Sequence, residues 1–263
     1  MPQQQWSDSE GLQFFCRHLV ALCVTYRRKG EDGDRFAAYS GTLIMLHNTV
    51  FFLTAGHILE GLEEARNSDD VEFKSAVLAD TFGIKRTSDL PIPFDLKGAK
   101  FFHVNDEEEG LDFGVIALSP YYVRLLAANG VVALEEVNWA RQDRVTFDAY
   151  AMLGFPEEFV SENVNDAGEG LVYPTMFRVH RLEPPPEDTP ATRHPRFVGR
   201  IDQELPLNSV KGMSGGPIFG FSVGKETRYW VVALQSTWRR QSRIVYGCSL
   251  PVLASLMTSW TDL

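Results

Sequence analysis

Gly212-Met213-Ser214-Gly215-Gly216-Pro217 sets a serine among glycines and follows it with a proline. Glycines let backbone come close to a reacting group, and such a loop can aim two N–H groups at one point beside the hydroxyl, an oxyanion hole next to a nucleophile. The same residues also make a good β-turn, so the loop alone leaves both readings open. It matches Gly-x-Ser-x-Gly as well, a turn that carries the nucleophile in another class of acyl hydrolases. That class needs a helix straight after the serine and a histidine base later in the chain. Gly215-Gly216-Pro217 resists helix formation, and His18, His47, His57, His103, His180 and His194 all precede Ser214. A base must therefore come from upstream.

His57 is the candidate, because Phe51-Phe52-Leu53-Thr54-Ala55-Gly56-His57 ends an apolar strand in small residues and brings the imidazole out at its end. An imidazole titrates near neutrality and can accept and return a proton. A histidine there could instead cap a strand or turn, the reading given to His103, His180 and His194. Asp112 enters the apolar run Phe113–Leu118. A carboxylate is costly to bury without a partner, so Asp112 is a candidate to orient His57 and stabilise its imidazolium.

Positioning these groups falls to short apolar, β-branched or aromatic runs at 19–26, 35–46, 50–54, 71–78, 100–104, 113–118, 144–153, 171–181, 196–203, 216–222, 229–236 and 243–249. Their spacing predicts an all-β barrel or sandwich. Helical signals are confined to Ala55–Glu64, Pro120–Asn129 and Pro251–Trp260, and the proline-rich stretch Glu183–Pro195 reads as an exposed loop. Segment 119–143 lacks strand patterning and divides the chain. The domain reading is an N-terminal extension over 1–18, a β-barrel over 19–125, and a second barrel with its C-terminal helix over 126–263.

With 263 residues, 44% of them apolar, a sizeable core can form. A net charge of −10 with no Lys/Arg-rich stripe argues against nucleic acid as a partner. The three cysteines, Cys16, Cys23 and Cys248, are too few for a disulfide framework or a thiolate metal site, which suits a reducing compartment. The N-terminus does not read as a signal peptide. Phe36–Leu59 lacks Asp, Glu, Lys and Arg, but His47-Asn48-Thr49 splits it into two strands joined by a turn rather than a membrane span.

Thr54-Ala55-Gly56-His57, Asp112-Phe113-Gly114-Val115-Ile116 and Gly212-Met213-Ser214-Gly215-Gly216-Pro217 resemble, in the same order, the His, Asp and Ser motifs of trypsin-like (chymotrypsin-fold) serine peptidases. Ser40-Gly41-Thr42-Leu43-Ile44 adds to the likeness, which runs from about residue 19 to the C-terminal helix. The resemblance, to an intracellular bacterial-type member without disulfides, implies two six-stranded antiparallel β-barrels with a C-terminal helix. His57 and Asp112 would come from the first barrel and Ser214 from the second, with the Gly212 and Ser214 N–H groups forming the oxyanion hole. It also implies that Asn208 lies near the base of the primary specificity pocket, that Gln235-Ser236-Thr237 receive the peptide, and that no metal or cofactor is required.

Two departures from the family pattern stand out. Positions that carry a cystine in secreted members are Tyr39 and Ile58 here, and Met213 stands where many of them have the aspartate that pairs with a freshly cut N-terminus. The oxyanion loop is then either always formed or completed by a partner or substrate. With no acid at the pocket base, a neutral residue is expected before the cut. The sequence thus reads as a cytoplasmic serine endopeptidase acting on a limited set of protein or peptide substrates, without nucleic acid or membrane and with room for a regulatory partner. The alternatives are a catalytically silent peptide-binding module and an esterase-like acyl hydrolase.

Overall fold

Strand β1 (Leu19–Arg28) opens with six buried residues in a row, because both of its faces are covered. Side chains alternate across a strand. Leu19, Ala21 and Cys23 therefore enter the core shared between the two halves of the molecule, and Val20, Leu22 and Val24 the core inside the first half. The computed structural model describes residues 9–83, 87–140, 147–165, 170–201 and 208–261.

Helix α1 (Ser9–Cys16) precedes β1 and is followed by β2 (Arg35–Leu46), β3 (Thr49–Thr54), helix α2 (Gly56–Arg66), β4 (Val71–Ala79), the two-residue β5 (Ile92–Pro93), β6 (Phe101–Asp106) and β7 (Leu111–Ala117). These strands form one sheet in the order β5-β4-β1-β2-β3-β7-β6. Helix α3 (Pro120–Ala128) leads into β8 (Ala149–Gly154), β9 (Thr175–Arg181), β10 (Arg196–Arg200), β11 (Pro217–Val223), β12 (Thr227–Arg239), β13 (Ile244–Ser249) and helix α4 (Leu250–Thr261). The second half closes into a six-stranded antiparallel barrel, β10-β13-β12-β11-β8-β9.

The expected double barrel is thus present with one difference: the first half is a seven-stranded sheet that does not close. Pro91 precedes the edge strand β5 and Pro93 is its second residue; neither supplies an N–H to extend the ladder. Helix α2 stands across the opening, burying Ile58, Leu59 and Leu62. Its last-turn Arg66 donates to the carbonyls of Leu96 and Ala99 at 3.2 and 3.0 Å and lies 4.7 Å from the Phe101 ring centroid.

Of the expected strands, 144–153 and 196–203 run partly outside the described residues, at 144–146 and 202–203; their described parts form β8 and β10. Helix α1 and strand β5 had no counterpart in the expectation. The helix carries Leu12, Phe15 and Cys16 on one face and packs Phe15 against Phe219, Phe221 and Tyr229 of the barrel. It ties the chain's start to the half from which it is most distant in sequence.

Asp80, just after β4, is buried with one carboxylate oxygen accepting from Asn129 at 3.1 Å and the other without a partner among the described residues. Burial pushes its pKa up from 3.8 to about 6. A raised carboxylate favours the folded state fully below the unfolded value and loses that contribution as pH rises through the folded one, so Asp80 costs stability between about pH 4 and 6. Urea unfolding of wild type and Asp80→Asn should show wild type losing stability relative to the variant across that window. The loss should be on the order of 2–3 kcal/mol, because each tenfold change in a group's proton affinity is worth about 1.36 kcal/mol. A pH-independent difference would exclude a buried Asp80 charge.

Candidate active site

Helix α2 begins without a side-chain cap, since Ala55 occupies the capping position. Asp112 on β7 fills that need from another strand: its Oδ1 accepts the His57 backbone N–H at 2.9 Å while its Oδ2 accepts from His57 Nδ1 at 2.8 Å. The carboxylate therefore sits at the positive end of the helix and fixes both the main chain and the ring of His57. Ser236 Oγ also donates to Asp112 Oδ2, at 2.5 Å.

Burial by itself would raise the Asp112 pKa, but the bonds from the His57 ring, Ser236 and the His57 backbone, with the attraction of the imidazole, together hold it below the usual carboxylate range. His57 moves the other way. The hydrogen bond to Asp112 outweighs its partial burial, and Asp112 and Glu60 add attraction, so its pKa lies above 6.5. The His57 side chain is 40% exposed and that of Asp112 4%, which leaves the ring facing solvent over a sealed carboxylate.

Ser214 reaches this place through an inter-half contact. Gly215 has φ +84°, and a Cβ there would lie 2.2 Å from Thr54 Oγ1 and 2.5 Å from the Ser40 carbonyl. Only glycine lets the serine loop of the second half press against β2 and β3 of the first. The Thr54 hydroxyl donates to the Ser40 carbonyl at 2.7 Å, and Ser40 Oγ donates to the Gly212 carbonyl at 3.2 Å. Met213 is fully buried in the barrel interior with Val210, Ile218 and Met152. Apolar packing anchors the loop.

The Ser214 hydroxyl donates to the Ser236 carbonyl at 3.0 Å. Ser236 thus touches both Ser214 and Asp112, and it links the three elements that carry the motifs. Glu157 N–H donates to the Lys211 carbonyl at 2.7 Å and Gly216 N–H to the Met213 carbonyl at 2.9 Å. In a trans peptide the N–H points opposite to the C=O, so the N–H groups of Gly212 and Ser214 are turned away from those contacts. Gly212, with φ +88°, lines the same cavity as Ser214 and His57.

The other sequence-named residues lie as follows. Asn208 is exposed and gives its backbone N–H to Glu158 at 3.0 Å. Gln235 is buried, with Nε2 3.4 Å from the Thr237 carbonyl and Oε1 without a partner among the described residues. The Gln235 main chain is bound to the serine loop, donating to the Gly216 carbonyl at 2.9 Å and accepting from Gly215 at 2.8 Å. Thr237 is exposed, two residues before the end of β12. Ser236 appears in the sequence reading only as a peptide-contacting residue; nothing in the local sequence ties its hydroxyl to a carboxylate more than a hundred residues upstream.

The three cysteines are free and buried, and burial pushes each thiol up to about 12. None is a thiolate at neutral pH. Among the described residues no group of three or more His, Cys, Asp or Glu is arranged to hold a metal ion, and no helix is long and apolar enough to cross a membrane.

No family model matches the chain, and no curated protein does. Solved structures do. HL collagenase aligns at 13% identity over 97% of this chain and 97% of that one, with a TM-score of 0.53. The chain has the chymotrypsin fold. Glu endopeptidase (13% identity, 93% of this chain and 90% of that one, TM-score 0.47) and protease Anisep from Arthrobacter nicotinovorans (14%, 89% and 90%, 0.45) also align. In this chymotrypsin-like fold the cleft between the halves holds His57 and Ser214, and Asp112 lies sealed behind the imidazole.

Proposed function

We propose that the chain is a serine endopeptidase in which Ser214 attacks, His57 is the general base and then the general acid, and Asp112 holds His57. One observation carries this reading: a single buried carboxylate takes both N–H groups of His57 and the hydroxyl of the residue whose carbonyl holds Ser214. With Nδ1–H donated to Asp112, the neutral ring carries its lone pair on Nε2, the tautomer a base needs.

Attack requires the Ser214 hydroxyl to leave the Ser236 carbonyl and turn to Nε2, a side-chain rotation much faster than turnover. The proton passes to His57, Oγ bonds to the scissile carbonyl carbon, and negative charge collects on its oxygen. The Gly212 and Ser214 N–H groups, unused by the loop's own hydrogen bonds, are the donors for that oxyanion. His57 then protonates the leaving amine, and water, deprotonated by the same imidazole, hydrolyses the acyl-enzyme. Ser236 and Thr237 would pair with the acyl-side backbone of the substrate while the Gln235 main chain stays on the serine loop, Asn208 would lie beside it, and a limited set of cytoplasmic proteins are the targets.

A fluorophosphonate probe tests the nucleophile. Labelling should map to Ser214, and its rate should fall as pH drops through the raised His57 value, above 6.5, because a protonated imidazole cannot accept the serine proton. Folded protein that is not labelled would instead support the silent peptide-binding reading, in which the hydroxyl stays on the Ser236 carbonyl.

A further inference from the structure

A cavity of about 1010 Å³ opens at His57, Gly212 and Ser214 and runs away from them between helix α2 and the first two strands. That size is at the upper end for ligand pockets. Its floor and walls are apolar and aromatic: Tyr26, Ala37 and Tyr39 from β1 and β2, Ile58 and Leu62 from α2. The far wall is the 157–162 segment, fastened to the first half where Phe36 N–H donates to the Glu162 carbonyl at 2.9 Å.

The sequence of α2 explains why this space is open. Residues four apart share a helix face, so His57, Gly61 and Ala65 form one line from the imidazole along the helix, and both residues after His57 are small. A Cβ on Gly61 would meet nothing within 4 Å.

Charges of both signs stand at the rim, and most are already engaged: Glu157 with Lys211, Glu158 with the Asn208 N–H, and Arg35 with Glu31. They offer little net field to a charged ligand. β2 pairs with β1 along one side; on the other, Arg35 and Phe36 meet the 162–163 segment and pairing with β3 begins only at Thr42, so between them residues 37–39 carry edge without a strand partner toward the cavity, among the described residues.

We propose that this groove binds the leaving-group side of the substrate, the residues that follow the scissile bond, and that it selects apolar and aromatic side chains there. The inference rests on Ser214 acting as the nucleophile and adds which part of the substrate is recognised. The acyl chain leaves Ser214 either to water or to an amine. In the second case the amine nitrogen bonds to the acyl carbon, the Ser214 Oγ–carbon bond breaks, and the amine proton passes through His57 to Oγ. An amine that fits the groove is therefore captured in preference to water.

The test uses the full chain acylated by an N-acyl-alanine p-nitrophenyl ester, with Leu-Tyr-Leu amide or glycinamide as acceptor. The ratio of peptide product to hydrolysed acid is read within one reaction, so total turnover does not enter. In wild type the tripeptide amide should be captured at least about tenfold better than glycinamide at equal concentration. Gly61→Leu and Ala65→Phe, which fill the groove with residues a helix accepts, should bring the two acceptors within about twofold. Equal capture of both acceptors by wild type, or an advantage that survives in both variants, would overturn the groove assignment while leaving Ser214 as nucleophile. Absence of p-nitrophenolate release from Ser214 would overturn the nucleophile and the groove together.

Discussion

Replacing Ser214 with alanine is expected to lower kcat on a protein substrate by about six orders of magnitude, leaving a residual of about 10³-fold over the uncatalysed reaction. The size follows from the chemistry. Removing Oγ removes the bond-forming atom, whereas the Gly212 and Ser214 N–H groups belong to the main chain and stay in place to stabilise charge on the carbonyl oxygen. The side chain adds little to the fold, since Ser214 is only half-buried and a single hydrogen bond to the Ser236 carbonyl holds it among the described residues. Thermal unfolding should therefore be almost unchanged, and the lost turnover cannot be ascribed to misfolding. Initial rates on casein, with both proteins purified identically to exclude a contaminating peptidase, check the prediction. A Ser214→Ala rate within tenfold of wild type would assign the hydrolysis to another group.

The motifs were legible because each is local. Strand-ending small residues before His57, an acid entering an apolar run at Asp112, and glycines around Ser214 are nearest-neighbour patterns that survive in a bare sequence. So was β1, whose six-residue apolar run announces a strand covered on both faces. What was not legible depended on residues distant in the chain. Ser236 reaches Asp112 across 124 residues of sequence, and its hydroxyl looks like any strand serine until the barrel folds. The open first sheet was hidden for a similar reason, because Pro93 matters only once β5 is known to be an edge. Helix α1 did leave a signal in the spacing of Leu12, Phe15 and Cys16. Eight residues of helix are marginal alone, and this one is held by the ring cluster around Tyr229, which no local pattern predicts.

Asp112→Asn should be the second most damaging single change, lowering kcat by about 10⁴ near neutral pH. The wild-type carboxylate accepts three bonds: two from His57 and one from Ser236. An asparagine keeps one acceptor oxygen, which the backbone N–H of His57 would take, because α2 has no other cap at that position. The amide NH₂ then faces the ring and favours the tautomer with the proton on Nε2, which cannot accept from Ser214. The variant also removes the hydrogen bond and charge that raise the His57 pKa. Its acid limb should therefore move to lower pH, whereas a purely structural loss would scale the profile without shifting it. Stability should fall as well, and more at neutral than at acid pH: a carboxylate held below its ordinary range contributes above its unfolded pKa and ceases to contribute as pH drops through its folded value. Steady-state rates from pH 5 to 9, with urea unfolding at about pH 7 and at about pH 2.5, below the ordinary value of 3.8, separate these effects. A full wild-type kcat with an unmoved acid limb would mean that Asp112 caps a helix and does nothing for the imidazole.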